Sequence, residues 1–60
     1  MVYEVMLACM KDKENIIKQI PDVFDMVMEN GVYIFRDTEL NIIFSAPSDS
    51  IIYIQRISLG

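Results

Sequence analysis

Asn30-Gly31-Val32-Tyr33-Ile34-Phe35-Arg36-Asp37-Thr38-Glu39-Leu40-Asn41-Ile42-Ile43-Phe44-Ser45 carries two apolar runs, Val32–Phe35 and Leu40–Phe44. Both are rich in β-branched and aromatic residues, which suit a pleated, half-buried surface. A polar tip, Arg36-Asp37-Thr38-Glu39, separates them. Short apolar runs bounded by turn residues predict an antiparallel hairpin. A third run, Ile51–Ile57, follows the loop Ala46-Pro47-Ser48-Asp49-Ser50 and extends the hairpin into a three-strand meander.

Upstream of Asn30, Val2–Met10 alternates Tyr3, Val5, Leu7 and Cys9 against Val2, Glu4, Met6, Ala8 and Met10. Apart from Glu4 both sets are apolar, the signature of a central strand covered on two faces. The polar break Lys11-Asp12-Lys13-Glu14-Asn15 ends it, with Asp12 placed as a helix N-cap and Glu14 in the first turn.

Glu14–Asn30 decides between helix and strand. Ile16, Ile17, Ile20, Phe24, Val27 and Met28 fall on one face of a 3.6-residue helix. Asn30-Gly31 then supplies a left-handed C-cap. Pro21 removes a backbone donor and disfavours helical geometry at Ile20, so the helix is kinked there or restarts with Pro21 in its first turn. Two rival readings compete. Val23–Glu29, Asn30-Gly31 and Val32–Phe35 form a type I′ hairpin pattern. Alternatively, Ile16–Ile20 reads as a strand pairing back on Val2–Met10, leaving only Pro21–Asn30 helical. Helix is favoured for Pro21–Asn30, because Met and Glu are good helix formers and the stripe continues across the proline; residues 15–20 stay open between helix and strand. The expected architecture is therefore α+β: residues 1–60 as one domain, about four antiparallel strands in the order strand–helix–three-strand meander. One kinked helix covers one face, contacting it through Phe24, Val27 and Met28, with Leu7 and Phe24 in the helix–sheet core.

Composition bounds the function. Sixty residues bury only about 60% of the surface exposed by the unfolded chain, so the core is thin. Yet 53% of the residues are hydrophobic and ten are isoleucine. Monomers rarely leave large apolar patches open, so a homodimer or a permanent protein partner is expected. With one cysteine and no histidine, neither an intramolecular disulfide nor the usual zinc sets can form. Cys9, in an apolar run, reads as a small buried hydrophobe. No apolar stretch reaches the roughly 18 residues of a membrane span, and no signal-peptide pattern opens the chain, so the expected location is cytoplasmic.

The chemistry-bearing residues are few. Without histidine there is no Ser-His-Asp or Cys-His pair, and catalytic residues are expected to be absent. Gly31 and Gly60 belong to no phosphate-binding pattern, and neither a cofactor nor a metal is expected. Ser45, Ser48, Asp49 and Ser50 are turn chemistry. Asp37 and Glu39 could hold a cation but, at a hairpin tip beside Arg36, read as solvated. Five scattered basic residues against nine acidic ones, net −4, argue against nucleic acid and anionic membranes as partners. The acidic balance leaves mimicry of nucleic acid as a minor reading, since −4 is ordinary for solubility. Met6, Met10, Met26 and Met28 read as core filling more readily than as a binding surface.

The sequence thus predicts a non-enzymatic module that binds itself or a host protein. Size alone suggests an inhibitor or antitoxin-like factor of the phage or mobile-element type. The binding surface is expected on the sheet face away from the helix, carried by Tyr33, Phe35, Ile43 and Tyr53. A small-ligand regulatory module, with its pocket at the sheet–helix seam or a dimer interface, is the alternative.

Overall fold

The computed structural model describes residues 1–8 and 14–57. Cys9, Met10 and Asp12, and the expected loose end Ser58-Leu59-Gly60, lie outside the described residues. Six strands follow in order: β1 (Val2–Ala8), β2 (Asn15–Ile20), β3 (Asp25–Glu29), β4 (Val32–Arg36), β5 (Ile42–Pro47) and β6 (Ile51–Ile57). A 3-10 turn, Ser48–Ser50, separates the last two. The strands form two antiparallel sheets, β2-β1-β6 and β3-β4-β5.

This all-β arrangement corrects the expected α+β fold. No α-helix covers the sheet among the described residues; the strands of both rival readings are present, but the helix that the second kept over Pro21–Asn30 is not. Residues 15–20 pair with β1, Ile16 opposite Leu7 and Ile20 opposite Tyr3. Residues 25–29 pair with β4 across Asn30-Gly31. Asn30 has φ 52° and Gly31 φ 76°, the two left-handed residues that a type I′ turn requires. Asp22, at φ 61°, together with Pro21 breaks the helical path at its middle.

The chain changes sheets in the middle of the stretch expected to be helical. Met1 and Val23 exchange backbone hydrogen bonds, the Val23 N–H donating to the Met1 carbonyl at 2.9 Å and the Met1 ammonium to the Val23 carbonyl at 3.2 Å. One residue later the Phe24 N–H donates to the Arg36 carbonyl at 2.7 Å. The chain from Asn15 to Glu29 thus pairs with β1 through Ile20, touches Met1 just ahead of β1 at Val23, bends, and pairs with β4 from Phe24 onward. Strands that change sheets do so through a bulge or bend, here Pro21-Asp22. The bend resets side-chain alternation, so Ile20 and Val23 are both buried although three residues apart. The helix contacts expected from Phe24 and Met28 do not exist: both side chains are exposed, and Val27 is half-buried.

The core lies where one face of each sheet meets the other. Val5 and Phe35 are fully buried, joined by Ile20 and Val23. Tyr3, Leu7, Tyr33, Phe44, Ile51 and Ile54 pack around them, half-buried. Phe35 meets Tyr3 edge-on at 5.5 Å between ring centroids and Phe44 at 5.7 Å, the tilted geometry aromatic pairs favour. β1 is central in its sheet, as its apolar composition predicts.

The expected meander is also corrected. β4 pairs with β5, but β6 leaves that sheet through the 3-10 turn and pairs with β1. β5 begins at Ile42 rather than Leu40, because the turn Asp37–Asn41 takes Leu40 at φ 65°.

Candidate binding surfaces

Strand parity and the bend at Pro21-Asp22 decide which apolar side chains stay outside. Among the described residues the buried apolar side chains are five: Val5, Ile20, Val23, Phe35 and Ala46. Ten large ones are exposed: Met1, Ile16, Ile17, Phe24, Met26, Met28, Leu40, Ile42, Ile43 and Ile52. The first set is buried outright; the second is apolar surface that water still meets.

The four residues expected to form one binding face are divided. Phe35 is fully buried and forms the centre of the core, where no partner can reach it. Ile43 is the extra residue of a bulge in β5 opposite the Phe35–Arg36 step, and it is exposed. Tyr33 and Tyr53 come together, with Tyr3, in an open groove of about 410 Å³. Met26, Ile51 and Ser48 also line it. The groove runs along the seam between the two sheets. Its three tyrosines come from β1, β4 and β6, and no spacing in the sequence marks them as neighbours.

Tyr53 is held from the side. Its hydroxyl donates to Glu4 Oε2 at 2.6 Å, and Gln55 Nε2 donates to the same oxygen at 2.9 Å. Glu4 sits opposite Gln55 in the β1–β6 register. The hydrogen bond to the carboxylate raises the Tyr53 pKa above its ordinary value, and desolvation and the negative charge add in the same direction. Tyr53 therefore stays a neutral donor well into alkaline solution.

The acidic residues do structural work. Asp37 Oδ1 accepts from the backbone N–H groups of Glu39 and Asn41, each at 2.9 Å, which builds the β4–β5 turn. Arg36 turns away from that tip to Asp25, its register partner across β3 and β4. Nε donates to Oδ1 at 2.8 Å and Nη2 to Oδ2 at 2.5 Å, a two-point clamp. The Arg36 hydrogen bonds hold the Asp25 carboxyl below its ordinary pKa against a smaller desolvation effect. A second hollow, about 610 Å³, lies beside Met1, Asp22, Phe24 and Asp37. Ser48 and Ser50 belong to the 3-10 turn, where the Ser48 N–H donates to the Gly31 carbonyl at 2.8 Å.

No group of three or more Cys, Asp or Glu side chains positioned to hold a metal occurs among the described residues. No helix among them is long and apolar enough to cross a membrane. Compared with known protein families, curated proteins and solved structures, the chain matches none.

Proposed function

We propose that this chain is a non-enzymatic protein-binding module that self-associates, acting through apolar surface rather than through chemistry. The imbalance between five buried apolar side chains and ten large exposed ones among the described residues carries this reading. Burying apolar area is worth roughly 25 cal/mol per Å², so a second protein surface that covers even part of that set gains substantially. An inhibitor, which works by occupying a partner, needs only such a surface. The net charge of −4 keeps the free chain soluble and directs it away from nucleic acid. Sedimentation at low micromolar concentration tests the reading: a dimer or larger species is expected. A clean monomer would remove self-association and leave a heterologous partner, to be recovered by pull-down from the native host.

The groove lined by Tyr3, Tyr33 and Tyr53 supports a second reading, a small-ligand module. Its volume lies within the range of ligand pockets, and its lining is mostly apolar with Ser48 and the three tyrosines among it. A ligand-induced rise in Tm that is lost in Tyr33→Ala would favour it.

A further inference from the structure

Two three-stranded sheets leave strand edges unpaired, and edges are where chains add to one another. β5 is guarded by Pro47 and by the bulge at Ile43, and β6 by the bulge at Ile52 opposite the Met6–Leu7 step. Full-length pairing of β3 with a second β3 would set Asp25 against Glu29 twice, a like-charge opposition that destabilises a sheet. β2 has none of these defences. It is regular throughout its pairing with β1, and every residue from Asn15 to Gln19 is exposed. Ile16 is 43% and Ile17 54% exposed, on opposite faces of the strand.

The order of charges along this edge selects its occupant. Antiparallel pairing of β2 with a second β2 has two-fold symmetry, and centring it on Ile16 sets Ile16 against Ile16. Continued one residue ahead of β2, the same register sets Glu14 opposite Lys18, twice. Asn15 then faces Ile17 on the other side of the sheet. Centring on Lys18 would oppose two lysines. Centring on Ile17 would set Lys18 against Ile16 and match no charges. We infer that the β2 edge is the self-association surface: two copies join through antiparallel β2 strands centred on Ile16, flanked by Glu14–Lys18 pairs, into one continuous six-stranded sheet. This rests on the self-association proposed above and names its location.

Charge exchange tests it. Glu14→Lys and Lys18→Glu are prepared singly and together in the full chain, and dimer dissociation is measured by sedimentation at low salt. Both positions are exposed, and circular dichroism confirms that each variant keeps the fold. Each single variant turns two attractive pairs into repulsive ones and should weaken the dimer about tenfold or more. The double variant restores opposite charges and should return to within about threefold of the parent. A parent dimer that both single variants leave unchanged would overturn this inference while self-association stands. Failure of the double variant to recover would likewise overturn it, since the two charges would then not face each other. A monomeric parent would overturn both.

Discussion

Tyr53 and Glu4 are 49 residues apart in the chain and 2.6 Å apart in space, a hydrogen bond that ties the last strand to the first. A phenol that donates to a carboxylate resists ionisation. Because its folded pKa is raised, the stability it contributes is fully present below the ordinary tyrosine value of 10.0 and is lost as pH rises through the folded value. Glu4→Gln should therefore move one of the three tyrosines to an earlier ionisation in an ultraviolet pH titration. It should also narrow the loss of Tm above pH 10.

Asp25 and Arg36 give the opposite sign. The depressed Asp25 pKa means that its contribution is present above the ordinary aspartate value of 3.8 and disappears as pH falls through the folded value. Asp25→Asn should lower Tm at neutral pH, and the gap to the parent should close in acid. Both side chains keep about 30% exposure, so the neutral-pH effect is expected to be small. Thermal melts at a series of pH values measure it.

Phe35→Ala separates core from surface. Removing a fully buried phenylalanine typically costs about 3–5 kcal/mol, comparable with the whole stability of a domain this small. The variant should be largely unfolded at room temperature by circular dichroism. Ile43→Ala, at an exposed bulge, should stay folded with a Tm near the parent's.

Gly31→Ala examines the hairpin that replaced the expected helix. An added Cβ meets nothing within 4 Å, so only the backbone at φ 76° resists it. A left-handed residue other than glycine costs roughly 1–2 kcal/mol. Denaturant unfolding should show that loss; a helix C-cap at the same place would bring helical circular dichroism with it, and none is expected.

Much of the sheet was legible because strand composition is local. Val32–Phe35 and Ile51–Ile57 announce themselves by β-branched and aromatic runs, and the apolar character of Val2–Met10 predicted a central strand, observed as β1 over Val2–Ala8. Pairing is not local. Nothing in β6 says that its neighbour is β1 rather than β5, since both offer apolar edges and only the 3-10 turn at Ser48–Ser50 redirects the chain. The helix reading of Pro21–Asn30 failed for a related reason. The bend at Pro21-Asp22 shifts alternation by one residue, so Ile20 and Val23 are buried while Ile16, Ile17, Phe24 and Met28 of the helical stripe stay exposed. The binding residues divided because Tyr33 and Phe35, two apart on β4, share the face that meets the other sheet. Tyr33 reaches the edge of that meeting and Phe35 its centre, a distinction set by where β1 lands.

Thermal unfolding across a hundredfold range of protein concentration tests self-association most directly. A folded state that exists as a dimer gains stability by mass action, so Tm must rise with concentration. The chain is expected to show that rise, reduced at high salt if Glu14 and Lys18 face each other across the dyad. A Tm that stays constant over the whole range would contradict self-association.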